Sequence, residues 1–451
     1  MSIAIRNLKE LTRSKTHRDA LEIILKGLNA ADPMRSVERS IKYNDKGILI
    51  GGKYLQKVNA VHVVGFGKAS IGMAKGAFNA LGDLIHGGVV IAPKPTSITN
   101  IGPITVLEGN HPIPDKDTEK SSRKLIEYLS DQVSPDDGVL ILISGGGSAL
   151  FEVPANDLSI EDVAAVTKLL LKSGANIKET NTVRKHISSV KGGQLIKYIK
   201  SNWVASLIIS DVVGDPLEFI ASGPTVPDTT TFKDAYEVLI RRDLWNKIPI
   251  SVKSYIEKGL QGKAPETPKP GDPIFSKVIN VLVASNRISL EAMAQESINK
   301  GFKSLILTPY LEGESREVGK VLASIALSVR RDGYPLKPPL AILAGGETTV
   351  TVTGKGIGGR NQELCLSLAL NLCDIDFVAI CMGSDGIDGI SPAAGAIVDG
   401  DVCKEASQIG IDITQALINN DSYTVFSKLK RAIITGYTGT NVNDLLVILI
   451  K

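Results

Sequence analysis

One stretch of the sequence constrains the fold more than any other. An apolar run at residues 139–143 leads directly into Ser144-Gly145-Gly146-Gly147-Ser148. A short apolar run without polar alternation is typical of a strand that is buried on both faces of a parallel sheet. The glycines at its carboxyl end let the backbone turn sharply, and bare N–H groups there suit a phosphate or carboxylate. Because ligands bind at the carboxyl ends of strands in open α/β sheets, the chain is predicted to bind a small anion.

Apolar strands alternate with helical patterns through the first half of the chain. Leu21, Ile24 and Leu28 share one face of the first predicted helix, and Ser159 is the predicted N-cap of another. This alternation predicts βαβ units and a mostly parallel sheet. The predicted strands are residues 61–64, 89–92, 139–143 and 206–209, and the predicted helices are residues 8–28, 70–81, 117–131, 160–173 and 178–198, the last interrupted by two glycines.

Residues 259–273 are rich in proline and show no periodicity, which predicts a linker or a surface excursion between two domains. The pattern then restarts with strands at 278–284, 304–307, 340–344, 377–381 and 445–450, and helices at 288–300, 314–331 and 361–373. We therefore predict an α/β fold with two domains, a larger one over residues 1–258 and a smaller α/β one over residues 274–451.

Composition excludes several classes of protein. The chain has 451 residues and a net charge of +3, with no basic run, so nucleic acid is not an expected partner. No apolar run approaches the ~20 residues of a membrane span, and the N-terminus lacks the apolar core of a secretory signal, so a cytoplasmic location without membrane association is expected. The histidines are not spaced like the ligands of a zinc site, so a dedicated zinc site is not expected. The cysteines form no CxxC pair and are predicted to be small buried side chains in a reducing compartment: Cys365, Cys373, Cys381 and Cys403.

Three glycine-rich or helical junctions carry cations. Lys68 follows Gly65-Phe66-Gly67, which matches neither a P-loop nor a complete dinucleotide fingerprint. Arg184 and Lys185 lie on a predicted helix, and Arg360 follows a run of glycines at a helix start, where anions bind. The alternative for Lys68, Arg184 and Lys185 is an ordinary solvated turn or helix face.

Acidic residues follow other predicted strands. Asp211 and Asp215 come after strand 206–209, Glu347 after strand 340–344, and Asp385 and Asp388 after strand 377–381. Such carboxylates can hold Mg²⁺ or accept a proton, and the alternative is that they only shape turns. Cations for phosphates combined with acids for a metal and a proton describe phosphoryl transfer.

These motifs, in this order, resemble the glycerate 2-kinase family, whose C-terminal region is called the MOFRL domain. The resemblance covers nearly the whole chain, and its specificity comes from the combination of motifs. The matching segments are residues 65–70, 109–115, 144–148, 181–193, 210–224, 345–348, 358–363, 383–389 and 438–444.

The resemblance implies ATP- and Mg²⁺-dependent phosphorylation of D-glycerate at its 2-hydroxyl, giving 2-phosphoglycerate and ADP. It also implies an N-terminal Rossmann-like parallel sheet with helices on both faces, a smaller α/β C-terminal domain, and an active-site cleft between the two. D-glycerate and ATP are then the expected partners. A homodimer is a further expectation.

The resemblance gives Lys68 and Arg360 the role of stabilising the transferring phosphoryl group. On that basis Arg184 and Lys185 hold the glycerate carboxylate, and Asp211 is the proton acceptor or a metal ligand. The residues leave open whether the glycine loop holds ATP phosphates or glycerate, and which acid holds Mg²⁺. The remaining assignments are Asp385 for the metal and, for the nucleotide, Ser144, Gly145, Gly146, Gly147, Ser148 and Glu347.

Two other functions compete with a kinase. Relatives of the family have been labelled hydroxypyruvate reductases, which would make the chain a nicotinamide-dependent oxidoreductase. The incomplete dinucleotide fingerprint at Gly65 and the lack of a histidine–acid pair for hydride transfer argue against it. A sensor that binds a nucleotide or another anion without turnover is the second competitor, and it would need fewer charged groups.

Overall fold

The computed structural model describes residues 3–451. Its helices are α1 Leu8–Leu11, α2 Lys15–Ala30, α3 Pro33–Ser40, α4 Ser70–Leu81, α5 Lys116–Gln132, α6 Gly147–Leu150, α7 Ile160–Lys172, α8 Ile177–His186, α9 Phe232–Arg241, α10 Ile250–Leu260, α11 Asn286–Asn299, α12 Ser315–Asp332, α13 Arg360–Leu370, α14 Val402–Gln408, α15 Ile413–Ile418 and α16 Ser422–Lys428. Short 3₁₀ helices cover Gly82–Leu84, Gln194–Tyr198, Ile220–Ser222 and Pro273–Lys277.

The strands form a small antiparallel sheet, β1-β2-β3, and two large sheets. They are β1 Ile41–Asn44, β2 Gly47–Ile50, β3 Lys53–Tyr54, β4 Val61–Phe66, β5 Ile85–Pro93, β6 Asn100–Ile101, β7 Ile104–Gly109, β8 Gly138–Ile143, β9 Trp203–Ile209, β10 Val278–Ala284, β11 Lys303–Leu311, β12 Leu340–Gly346, β13 Phe377–Gly383, β14 Gly395–Asp399, β15 Ala432–Ile433 and β16 Asp444–Ile450. The predicted α/β class is confirmed.

Contacts divide the chain into two compact units. The first, which we call the crevice unit, comprises residues 33–283, and the second, the C-terminal unit, comprises residues 1–32 and 284–451. The boundaries predicted from the sequence differ from this division at the N-terminus and at residues 259–283, since β10 belongs to the sheet of the crevice unit. At the N-terminus the reason is packing, because the apolar face of α2, with Leu21, Ile24 and Leu28, is buried together with Leu290 and Met293 of α11.

The proline-rich stretch predicted as a linker belongs to the crevice unit. Its first residues end α10, and Thr267 is buried and donates a hydrogen bond to Asp228 (3.0 Å). The Asp228 N–H in turn donates to the Pro268 carbonyl (2.9 Å). A stretch without periodicity therefore packs against its own unit instead of joining two domains.

The crevice unit is built on a seven-stranded sheet of order β10-β9-β8-β4-β5-β7-β6. The pairs β9/β8, β8/β4, β4/β5 and β5/β7 are parallel. From β4 the chain builds outward through β5 and β7, then returns to place β8 on the other side of β4. Residue Phe66 pairs with Ile143, so β4 and β8 end at the same level. Their carboxyl ends form the switch point at which such sheets bind ligands.

The C-terminal unit has a six-stranded mixed sheet of order β11-β12-β16-β13-β14-β15. Strand β16, the last of the chain, is antiparallel to both β12 and β13 and lies between them. Asp444, at the start of β16, pairs with Gly346 and Gly383 at the ends of its neighbours. Asp444, the first residue of β16, therefore lies beside the carboxyl ends of β12 and β13.

Local signals explain several element boundaries. The Ser159 side chain accepts the Asp162 N–H and Asp162 accepts the Ser159 N–H, which is the capping box that starts α7. The helix predicted over 178–198 instead ends at His186. Gly192 and Gly193 have positive φ values of 58° and 81°, which an α-helix does not allow, and a 3₁₀ turn follows them.

The prediction that all four cysteines are reduced is wrong for two of them in this structure. Cys373 and Cys403 form a disulfide with Cα atoms 5.8 Å apart, while Cys365 and Cys381 are free and buried. The cysteines are 30 residues apart in sequence, and only the packing of α14 near the end of α13 brings them together. Within residues 3–451, no helix is both long and apolar enough to cross a membrane.

Candidate active site

The glycine loop, residues 144–148, is joined to the turn after β4. The Lys68 N–H donates to the Gly145 carbonyl (2.9 Å), and the Ala69 N–H donates to Ser144 Oγ (3.0 Å). Gly67 has a φ of +127°, and a Cβ at this position would overlap Ser144. Only glycine allows the two segments to approach so closely. Together they form one part of the β4/β8 switch point.

Side chains from other segments converge on this loop. A Cβ on Gly146 would lie 3.1 Å from Lys68 Cγ and 3.0 Å from His111 Cδ2. A Cβ on Gly145 would overlap the Asp211 carboxylate. We call the glycine loop together with Lys68, His111, Arg184 and Asp211 the anion crevice.

The glycine loop has backbone N–H groups without a hydrogen-bond partner in the described part of the chain. Among residues 3–451, no group accepts a hydrogen bond from the N–H of Gly145 or of Gly146. The Ser144 hydroxyl, in contrast, is buried and holds Ala69, and the Ser148 hydroxyl lies 2.8 Å from Ser222 Oγ. The binding capacity predicted for this loop therefore rests on its amides.

Arg184 is buried with an incomplete set of partners. It donates to the Ser148 carbonyl, and its Nε has no hydrogen-bond partner among the described residues. Burial lowers the pKa of Arg184, and the carboxylate of Glu152 opposes that shift. A guanidinium beside the glycine loop is suited to binding a carboxylate or phosphate.

Lys185 does not join Arg184. Its ammonium group is 1% exposed and lies 3.3 Å from Asp228 Oδ1. Successive residues of a helix point about 100° apart, and on α8 Lys185 contacts Asp228 while Arg184 contacts the Ser148 carbonyl. The structure places Lys185 in a buried ion pair, and its predicted contact with substrate has no geometric support.

Arg360, Glu347 and Asp444 form a second cluster, in the C-terminal unit. Arg360 Nη1 lies 2.7 Å from Glu347 Oε1, and its Nε lies 2.7 Å from Asp444 Oδ2. Asn361 donates to the other oxygen of Asp444 (2.8 Å). Burial raises the pKa of Asp444 to about 7 against the opposing charge of Arg360. Burial also acts to lower the pKa of Arg360, but the two carboxylates outweigh it and raise the pKa above its usual range.

The two predicted aspartates after β13 have different surroundings. Asp388 is 1% exposed and caps α13, accepting the N–H groups of Asn361 (3.0 Å) and Gln362 (2.8 Å). Asp385 instead lines a cavity of about 660 Å³ together with Arg360. Its Oδ1 accepts the Ile387 N–H (3.1 Å).

Two residues of these clusters were not selected from the sequence. His111 belongs to the segment 109–115, and Asp444 to the segment 438–444, both of which carry the family resemblance. His111 follows β7, a strand that the sequence analysis did not predict, so no predicted strand end pointed to it. Asp444 precedes a strand instead of following one, so a search of strand ends could not find it.

His111 yields a prediction about pH. Burial, followed by the charges of Lys68 and Arg184, lowers the pKa of His111 to about 4. Between this value and the ordinary 6.5 the unfolded chain binds more protons, so this residue makes stability fall as pH falls from 6.5 to 4. We expect His111→Gln to lose less thermal stability than wild type on acidification, by about 2 °C because the ring is partly exposed.

Thermal melts at several pH values between 4 and 6.5 measure this difference. The exposed His86 supplies the matched control, since His86→Gln removes a histidine outside the crevice. Identical pH slopes for wild type and His111→Gln would contradict the electrostatic description of the crevice.

The fold and these clusters define an α/β protein in which cationic side chains and unpaired glycine amides lie at a sheet switch point. Two family models match the chain, a domain of unknown function (DUF4147) over residues 19–257 and the MOFRL family over residues 340–444. The glycerate 2-kinase of Pyrococcus horikoshii is 44% identical, with 95% of this chain and 96% of that protein covered. The chain therefore belongs to the glycerate 2-kinase family.

Further relatives show the range of names within the family. The crystal structure of a glycerate kinase from Thermotoga maritima matches with a TM-score of 0.85 and 40% identity, covering 96% of this chain and 99% of that one. A putative hydroxypyruvate reductase from Agrobacterium vitis is 42% identical, with 86% of each chain covered. Because this relative is named a reductase, hydroxypyruvate reduction is a second activity to be tested.

Proposed function

We propose that the protein transfers the γ-phosphoryl group of ATP to the 2-hydroxyl of D-glycerate, giving 2-phosphoglycerate and ADP. The anion crevice carries this proposal, because Lys68, the Arg184 guanidinium and two unpaired amides lie together there. The activity named for the relatives over nearly the whole length of the chain supports the same reaction.

Each group in the crevice has a distinct task in this proposal. Arg184 binds the glycerate carboxylate through its guanidinium group. Lys68 and the amides of Gly145 and Gly146 stabilise negative charge on the transferring phosphoryl group, which is the main catalytic contribution in such reactions. Asp211, next to Gly145, accepts the proton of the attacking hydroxyl. We assign Arg360 to the phosphate oxygens of the nucleotide.

The carboxylates fit a magnesium ion that arrives with ATP. Within residues 3–451 there is no group of three or more metal-ligating side chains, so a cage made by protein alone is absent from that part of the chain. Mg²⁺ is commonly held by one or two carboxylates together with substrate phosphates. Asp385 is the residue that would supply such a carboxylate, and Asp211 is the alternative to it if Asp211 is not the proton acceptor. When bound, Mg²⁺ would neutralise negative charge on the phosphates.

The reaction is tested with purified protein, ATP, Mg²⁺ and D-glycerate, by following ADP. We expect ADP release that depends on D-glycerate and falls sharply with L-glycerate. Proton-coupled ³¹P NMR of the product distinguishes the 2-phosphate from the 3-phosphate, because the two phosphorus nuclei couple to different numbers of protons. A product phosphorylated at the 3-hydroxyl would contradict the proposed regiochemistry.

A parallel assay tests the reductase with hydroxypyruvate and NADH or NADPH. The name of the Agrobacterium vitis relative motivates it. At the position of the last small residue of a dinucleotide fingerprint, the chain has Ser70, which is fully buried and donates to the Ile91 carbonyl (3.0 Å). Cofactor oxidation without any ADP release would replace the kinase with the reductase, and nucleotide binding without either reaction would indicate a sensor.

A further inference from the structure

We propose that the cavity beside Arg360 binds the base and ribose of the purine nucleotide. The inference rests on the proposed phosphoryl donor and adds to it the place where the nucleoside half is recognised. The cavity has a volume of about 660 Å³ and lies wholly within the C-terminal unit. This volume is within the range of cavities that hold cofactors and drug-sized ligands, roughly 300–1,000 Å³.

The anion crevice is poorly suited to a base. The side chains that define it are Lys68, His111, Arg184 and Asp211, all charged or polar, arranged around a glycine loop. Sites for planar, weakly polar ligands are instead lined mostly by apolar side chains with a few polar groups. These charged and polar side chains suit the small anionic acceptor and a phosphoryl group better than a base.

The cavity supplies such an apolar surface. Val350, Val352, Ile387 and Ile390 line it. Val352 is 72% exposed and Ile390 is 79% exposed, although both are large apolar side chains. Apolar side chains left open to solvent around a cavity are characteristic of a ligand-binding surface.

The polar wall of the cavity matches the other half of a nucleoside. Asp385 has one oxygen bonded to the Ile387 N–H and can accept a ribose hydroxyl with the other. Arg360 also lines the cavity, and its guanidinium can contact a phosphate group. Glu363 also lines the cavity, but it is paired with Arg316 (2.8 Å) and Asn420 (3.0 Å) and does not present a free charge.

The proposal is tested with Ile390→Asp and Val352→Asp. Both side chains are exposed, so these changes should leave the fold intact. We expect each variant to raise the KM for ATP about ten-fold or more, as expected when an apolar contact with a base is lost, with less than a two-fold change in the KM for D-glycerate. The matched control is Val321→Asp, which places the same charge on an exposed position of α12 outside the cavity.

Binding without turnover separates this inference from the proposed function. Calorimetric titration of the intact protein with ADP should show the same loss of affinity in both variants. Photolabelling with 8-azido-ADP should modify peptides that contain residues 348–360 or 385–390. Suppose that wild type turns over D-glycerate, that both variants keep the wild-type KM for ATP, and that the label lies in residues 33–283. The nucleoside site in this cavity is then wrong, and the proposed function stands. If wild type does not turn over D-glycerate, the proposed function fails, and the ADP measurements still decide the nucleoside site.

Discussion

Replacing Lys68 with methionine is expected to lower kcat for D-glycerate phosphorylation about 10³-fold. The side chain reaches the anion crevice beside Gly146 and His111, where it can contact a phosphoryl group. Its charge would matter most as negative charge shifts in the transition state, so the KM values for both substrates should change much less than kcat. Steady-state kinetics with each substrate varied in turn measures this division.

The fold should survive the Lys68 change. Lys68 is exposed, so the melting temperature of Lys68→Met should equal that of wild type. Lys75→Met provides a matched control, because it removes an exposed lysine from α4 in the same unit, outside the crevice. Turnover by Lys68→Met within about ten-fold of wild type would overturn the assignment of Lys68 to the phosphoryl group.

Replacing Arg360 with glutamine is expected to lower kcat about 10²-fold or more and to destabilise the protein as well. Its bond to Glu347 is at the surface, where a phosphate oxygen can replace the carboxylate, whereas Asp444 is buried. Removing the guanidinium leaves a buried carboxylate without its cation, which costs about 3 kcal/mol when the carboxylate is ionised. The destabilisation should therefore be smaller at pH 6, where Asp444, with a pKa of about 7, is largely protonated.

A double variant separates the catalytic role of Arg360 from its structural role. In Arg360→Gln/Asp444→Asn both members of the buried pair are neutral, so thermal stability should return toward that of wild type. Activity should stay low, because the cation is still missing. If activity returns together with stability, Arg360 acts only by maintaining the fold, and its place among the catalytic residues is wrong.

Much of the fold could be predicted because local sequence patterns determine it. Residues 139–143 are apolar at every position, and only a strand with neighbours on both faces buries them all, as β8 does. The capping box at Ser159 and Asp162 determined the start of α7 through hydrogen bonds three residues apart. The direction of β16 was not predictable in this way, because the pattern of a buried strand is the same in parallel and antiparallel sheets.

The site was predictable where it follows from strand ends. Lys68, Asp211 and the glycine loop follow β4, β9 and β8, and parallel strands bring their carboxyl ends to one edge of the sheet. Arg184 and Lys185 could not be distinguished, because adjacent residues look alike in sequence. The two side chains leave α8 in different directions, so that Arg184 contacts the Ser148 carbonyl and Lys185 pairs with Asp228.

By itself, the sequence determined the α/β class, the positions of most buried strands and the motifs that identify the family, because these depend on local patterns and on residue identity. Only the tertiary structure decided that residues 1–32 pack with the C-terminal unit, that Cys373 and Cys403 meet, and that Asp444 lies beside Arg360. These features join residues that are far apart in the chain. Their proximity depends on strand order and direction, which local patterns do not encode.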